Sequence, residues 1–239
     1  MTKLVVLVGA MLLASAGAAT ADQTGSSVMF KLVGSAESIE DGIRLTSDFG
    51  QLGAAWSTNR VSVGDGFDLT FRFRIYDLRF GGADGFAVVI QNEERQILSG
   101  GGGTFGYLGV PSVAIEFDTW MNLASDGGFG PLGDPDDNHI SVHTNGQAGN
   151  GPDESFSIGA TSSIPNLSDG NVHLARISYR PGELTIFLDD LSSPVLAVAL
   201  DLGSTLVLAP GGKGWVGMVG ATGGAAQTQD ILEPEVDFD

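Results

Sequence analysis

Hydrophobic and polar side chains alternate with a period of two along much of the chain. In Leu69-Thr70-Phe71-Arg72-Phe73-Arg74-Ile75 the apolar groups share one face, and Thr70, Arg72 and Arg74 share the other, which predicts a half-buried antiparallel strand. Comparable runs predict strands at Gly85 to Gln91, Val113 to Trp120, His139 to Thr144, Val172 to Tyr179, Leu184 to Leu188, Val195 to Leu200 and Trp215 to Val219. Turn clusters lie between them, among them Val63-Gly64-Asp65-Gly66, Arg180-Pro181-Gly182-Glu183 and Pro210-Gly211-Gly212. No amphipathic helix longer than two turns is predicted. Short strands in this number, with no helices between them, predict an all-β fold: two antiparallel sheets packed face to face as a jelly-roll sandwich. No internal repeat, linker or second domain is apparent.

Composition narrows what such a fold can do. The 239 residues carry 29 Asp+Glu against 11 Lys+Arg, a net charge of −18, and no Cys. Clustered Lys and Arg are needed to hold a phosphate backbone, so nucleic acid is not an expected partner. Disulfides, thiolate metal sites and thiol catalysis are excluded, whereas an excess of carboxylates suits bound divalent cations.

At the N-terminus Lys3 precedes the apolar run Leu4 to Leu13, and small residues end in Ala19-Thr20-Ala21. This pattern predicts a secretory signal peptide over residues 1–21, cleaved after Ala21, and a mature domain over residues 22–239. The apolar run is short of the roughly 20 residues that cross a bilayer, and no other stretch could span one. Secretion to a periplasm, the medium or a cell surface is the expected localisation.

The densest polar chemistry lies between residues 113 and 145. On the strand Val113 to Trp120, alternation puts Glu116 and Asp118 on one face, about 7 Å apart. Two neighbouring carboxylates repel unless one is protonated or a cation screens them. Asn122, Asp134 and His139 follow. Carboxylate and amide oxygens suit calcium, and an imidazole among oxygens suits a transition ion, so two metals sharing Asp118 and Asp134 are conceivable from residue type alone.

The run Val113-Ala114-Ile115-Glu116-Phe117-Asp118-Thr119-Trp120-Met121-Asn122, followed by Asp134-Pro135 and His139-Ile140, resembles the signature of the L-type (legume-type) lectins, which have the concanavalin A-like fold. Further segments follow the same order: Arg44-Leu45-Thr46, Gly53-Ala54-Ala55-Trp56, Ala83-Asp84-Gly85-Phe86-Ala87, Gly101-Gly102-Gly103, Gly106-Tyr107-Leu108-Gly109, Leu184 to Asp189 and Val216 to Gly223. The resemblance spans most of residues 28–232. It implies a transition ion, usually manganese in plant members, on Glu116, Asp118, Asp134 and His139. It implies calcium on Asp118, the Trp120 carbonyl, Asn122 and Asp134.

The resemblance also implies a sugar site of Asp84, the Gly103 N–H, Trp120 and Asn122, with a cis peptide at Ala83-Asp84. Sugar preference would be set by the loop from Gly223 through Gln229, including Gly223, Gly224 and Ala225. Each role has a physical basis. Asp84 accepts hydroxyl donors, glycine permits close backbone approach, an amide donates, and an indole face meets the C–H side of a pyranose. The small loop favours mannose or glucose. The implied function is a non-catalytic, calcium-dependent lectin whose partners are glycans, with a homo-oligomer left open.

Three features depart from the family pattern. The gap from Asn122 to Asp134 is long, which makes Asp126, Asp136 and Asp137 substitute ligands to consider. His143 stands where Asp is common. The acidic end, Glu233 to Asp239, predicts a closing strand that is weak or continued elsewhere.

Two rival functions share the sandwich. A glycoside hydrolase needs a second carboxyl about 5–5.5 Å from Glu116, but Trp120 and Met121 occupy the register where it would stand. A structural or adhesive protein with a degenerate sugar site is the other. Bland readings suffice elsewhere. Gly100 to Gly103 reads as a loop, Trp56 and Trp215 as core, His173 as a hydrogen-bonded strand histidine, and Asp189-Asp190 as solvated charge.

Overall fold

The structure is a computed structural model that describes residues 4–5, 28–93, 96–123 and 130–238. The expected cleavage point after Ala21 and the substitute ligand Asp126 lie outside the described residues. In chain order the strands are β1 (Leu4–Val5), β2 (Phe30–Gly34), β3 (Glu37–Ile39), β4 (Gly42–Thr46), β5 (Leu52–Ser57), β6 (Val61–Ser62), β7 (Phe67–Arg79) and β8 (Gly85–Gln91). They continue with β9 (Ser112–Asp118), β10 (His139–Thr144), β11 (Ser157–Thr161), β12 (Val172–Arg180), β13 (Gly182–Leu188), β14 (Leu196–Leu200), β15 (Lys213–Ala221) and β16 (Ala226–Phe238). A single four-residue helix, α1 (Leu202–Thr205), and two 3-10 turns complete the regular structure of the described residues.

The strands form two antiparallel sheets. One runs β1-β2-β5-β15-β8-β9-β10-β11, with β6 against β15, and the other runs β14-β13-β12-β7-β16-β4-β3. Every predicted strand is present, with ends that shift by at most two residues except in β7, which runs four residues past Ile75. Strands β1 to β6 and β11 were not predicted. The closing strand, expected to be weak or continued elsewhere, is 13 residues long and lies between β7 and β4, with irregular register between Leu232 and Glu235 where Pro234 interrupts the ladder. It starts at Ala226, so the segment expected as a loop through Gln229 is a turn that ends at Ala225.

Between the sheets, Phe71 and Phe73 of β7 meet Phe86 of β8 and Phe117 of β9. The Phe86 and Phe117 rings stack at 4.7 Å between centroids, and Phe73 meets Phe86 edge-on at 5.2 Å. All four rings are buried. Phe86→Ala is expected to cost about 3–5 kcal/mol through lost transfer energy and the cavity left behind, read as a lower urea midpoint at unchanged slope.

A second apolar cluster covers the opposite face of the first sheet. There Ala54, Trp56, Ala87, Val89, Ala114 and Val219 pack under Phe105 and Tyr107, with Ile97 and Leu98 against them. Strands β8 and β9 are therefore buried on both faces, which is why Gly85 to Gln91 reads as an unbroken apolar run. Glu116 and Asp118 share this covered face with Ala114, so the sheet carries its carboxylates into a space shielded from solvent.

Candidate functional site

Strand register brings the acidic pair to its partners. Asp118 faces Gly85 of β8 and His139 of β10, and Glu116 faces Ala87 and Ser141. Past the end of β9 the chain bends so that the Trp120 N–H donates to Asp118 Oδ1 at 2.7 Å and the Asn122 N–H donates to Asp134 Oδ2 at 2.6 Å. Leu132 N–H donates to the Asn122 carbonyl at 3.3 Å, which closes the loop on itself.

Ligand atoms of Asp118, Asp134 and His139 come within 4.8 Å of one another, and all three residues are buried. His139 Nδ1 lies 3.2 Å from the Asp136 carbonyl, so its Nε2 points at Asp118 Oδ2, 3.9 Å away. His139 Nε2 and Asn122 Oδ1 are buried without a hydrogen-bond partner. An imidazole lone pair and an amide oxygen left open beside two carboxylates fit a divalent cation, which supplies the missing partner for each. Calcium would be held by oxygens of Asp118, Asp134, Asn122 and the Trp120 carbonyl, and a transition ion would use the His139 side.

Glu116 is placed differently from the other three. Tyr107 Oη donates to Glu116 Oε1, Ser141 Oγ donates to Oε2 at 3.2 Å, and His143 Nε2 stands 3.2 Å from Oε2. Asp136 lies on the Nδ1 side of His139, away from Asp118, and Asp137 is exposed. Sequence reasoning missed Glu154, which lies on a 3-10 turn (Glu154–Phe156). Its Oε1 is 3.6 Å from His139 Nε2 and 3.5 Å from His143 Nε2.

Burial lifts Asp118 well above the usual carboxylate range, and the charges of Glu116 and Asp134 add to the shift. Burial also raises Glu116 and Asp134, against hydrogen bonds and imidazole charges that lower them. Burial opposes protonation of His143, but the Glu116 charge and the Glu154 carboxylate outweigh it and lift this imidazole to about 9. Burial would raise Glu154, yet His139 and His143 hold it at about 2.

These shifts set the pH dependence of the ion-free protein. Asp118, Glu116, Asp134 and His143 each bind a proton more tightly folded than unfolded. Their contribution is complete below the unfolded pKa values, which begin at 3.8, and is lost as pH rises through the folded ones, up to about 9 for His143. Glu154 has the opposite sign: its contribution is present above 4.5 and is lost as pH falls toward 2. Thermal melts in chelator are expected to show stability falling from about pH 4 to 9, and falling less steeply with calcium present. A rise over that range in chelator would contradict the assignment.

Next to this cluster is an open cleft of about 310 Å³, lined by Asp84, Gly103, Trp120, Asn122, Gly223, Gly224 and Ala225, with Phe80, Ala83, Gly102 and Gly130. All seven residues expected at a sugar site thus share one cavity. The Ala83-Asp84 peptide is cis. Asp84 N–H donates to the Ala221 carbonyl at 3.0 Å, and the Asp84 carbonyl accepts the Thr119 N–H and hydroxyl, both at 3.0 Å, so three strand ends fix this residue.

A Cβ on Gly103 would fall 2.6 Å from Asn122 Oδ1, so only glycine lets the backbone lie against that amide. The Trp120 ring is half-buried and packs near Gly81. The 222–225 turn is tied down by Thr222 N–H to the Gln51 carbonyl at 2.9 Å and Gly50 N–H to the Gly223 carbonyl at 3.2 Å. Phe80, missed in the sequence, is 80% exposed at the rim and pairs with Phe49 at 5.7 Å.

The remaining histidine is tied to carboxylates: His173 lies 2.9 Å from Asp189 Oδ2 and 3.3 Å from Asp169 Oδ1. Asp189 is exposed, in keeping with its reading as solvated charge, and it also serves that imidazole and the Leu174 N–H.

No family model matches the chain. Solved structures do share its fold. Basic winged bean lectin with Tn-antigen is 25% identical with a TM-score of 0.68, covering 87% of this chain and 91% of that one. Lectin II from Ulex europaeus is 24% identical with a TM-score of 0.69 over 87% and 91%. The exoplasmic/lumenal domain of VIP36, in a Ca2+/Man-bound form, is 18% identical with a TM-score of 0.66 over 87% and 82%. The fold is therefore the concanavalin A-like sandwich of legume lectins and VIP36.

Proposed function

We propose that this chain is a non-catalytic, calcium-dependent lectin that binds glycans through mannose- or glucose-type residues. The observation that carries the reading is the convergence of Asp84, Gly103, Trp120, Asn122 and the Gly223-Gly224-Ala225 turn on one cleft, beside a buried Asp118/Asp134/His139 group whose donors suit a divalent cation. Asp84 would accept two sugar hydroxyls, the Gly103 N–H and the Asn122 amide would donate, and Trp120 would meet the apolar face of the ring. Calcium would neutralise Asp118 and Asp134 and fix Asn122, which belongs to both sites. Small side chains at the 223–225 turn leave room for the equatorial 4-hydroxyl of mannose and glucose.

Absence of catalysis is supported by Glu116, whose carboxylate is engaged by Tyr107, Ser141 and His143 on the covered sheet face and is not part of the cleft lining. Residues 1–21 would direct export, and residues 22–239 would form the lectin domain. A glycan array probed in calcium and again in EDTA tests the reading. Calcium-dependent signal on mannose- or glucose-terminated glycans is expected, and a blank array in both conditions overturns it.

A further inference from the structure

Phe80 is a large apolar side chain that the core does not use. It is 80% exposed, and its backbone sits at a positive φ of 54°, a conformation that a bulky residue adopts only under strain. Burial does not offset that strain. The turn that carries the ring is closed by the Gly82 N–H, which donates to the Arg79 carbonyl at 3.2 Å. Gly81 lies so near Trp120 that a Cβ there would stand 3.3 Å from the indole. Phe80 and Trp120 therefore line the same cleft, with Phe80 at its rim.

The exposed ring is braced. Phe49 meets it at 5.7 Å between centroids with a tilt of 44°, and the Arg79 guanidinium lies 4.7 Å from the Phe49 ring. Arg79 is fixed in turn by Asp48 Oδ1 at 2.9 Å and by the Ser47 carbonyl. The segment that carries Phe49 is tied to the 222–225 turn, since the Gly50 N–H donates to the Gly223 carbonyl and the Thr222 hydroxyl donates to the Asp48 carbonyl. The aromatic face is thus held in a set position relative to the cleft.

At about 310 Å³ the cleft is at the small end of the roughly 300–1,000 Å³ that ligand pockets span, so it encloses little beyond one sugar ring, and a longer chain must leave across the rim. Phenylalanine offers no hydrogen bond there. It offers a π face, which suits the C–H side of a second pyranose as Trp120 would suit the first. We propose that the cleft takes an oligosaccharide of at least two pyranoses, the first ring held beside Asp84 and Trp120 and the second laid against Phe80. The inference rests on the proposed lectin function and adds a second subsite to it.

Calorimetry on the calcium-loaded full chain compares the methyl α-glycosides of mannose and glucose with the α-1,2-, α-1,3-, α-1,4- and α-1,6-linked disaccharides of each. Wild type is expected to bind at least one disaccharide about tenfold more tightly than its monosaccharide, the scale of one aromatic contact with its buried apolar area. Phe80→Ala is expected to bring that pair within about threefold while monosaccharide affinity stays within about twofold of wild type, and Phe80→Tyr, which keeps the ring face, retains the preference. Phe80→Gly also relieves the positive φ, so it is expected to melt no lower than wild type and to show the same loss of preference, which separates the effect from unfolding. A wild type with no disaccharide preference, a preference kept by Phe80→Ala and Phe80→Gly, or an equal loss for monosaccharide and disaccharide overturns the second subsite and leaves the lectin reading standing. No binding of any of these sugars by wild type overturns the lectin reading itself, and the subsite with it.

Discussion

Asp84→Asn is expected to lower glycan affinity by a factor of about a hundred or more while the protein stays folded. Each hydrogen bond to a charged acceptor contributes about 1.5–3 kcal/mol, and the substitution removes the charge from two of them, so a total near 3 kcal/mol or above is lost. The fold has little reason to respond. Asp84 is held through its backbone by Ala221 and Thr119, and those bonds persist when the side chain becomes an amide of the same shape. Calorimetry on the calcium-loaded variant checks the prediction, with calcium affinity as the control. Retained affinity would show that the cleft is not where the sugar sits.

Asp118→Asn is expected to act in opposite directions on two measurements. Without ions, wild-type Asp118 is a buried carboxyl destabilised by Glu116 and Asp134, so at neutral pH the amide raises the melting temperature. With calcium the order reverses. A ligand at a hundred times its dissociation constant stabilises the folded state by about 2.7 kcal/mol, or about 5–10 °C for a domain of this size, and the variant loses that increment together with glycan binding. Melts of both proteins in chelator and in calcium separate the effects. A variant that keeps the calcium-dependent increment would place the ion elsewhere.

Alternation made the middle of the chain legible. Leu69 to Ile75 shows in sequence the face that it buries in the fold, whereas His139 to Thr144 separates apolar from polar side chains but buries both faces. Strands built on small residues gave no such contrast: in Leu52–Ser57 the side chains of Ala54 and Ala55 are buried on opposite faces and look alike. The acidic end misled because its compensation is distant: Glu233 pairs with Arg72, 161 residues away, and the residues just before it behave alike. Asp230 is buried against Arg44 at 2.8 Å and Tyr76 at 3.0 Å, partners 186 and 154 residues away, which charge counting along the chain does not reveal.

The site divides in the same way. Asp84, Asp118, Asn122, Asp134 and His139 were readable because chemistry and order coincide, and the cleft gathers the residues that the resemblance implied. Glu154 belongs to no spacing pattern and reaches His139 only because a turn tied to Leu132 carries it there. Phe80 lies beyond the run that alternates, just past β7 at a positive φ of 54°, which turns it out to the rim.

Isothermal titration of a mannose-terminated oligosaccharide into the full chain, once loaded with calcium and once stripped, tests the dependence of the cleft on its cation most directly. The account predicts one site per chain with calcium and no measurable heat without it. Equal affinity in both states would contradict it.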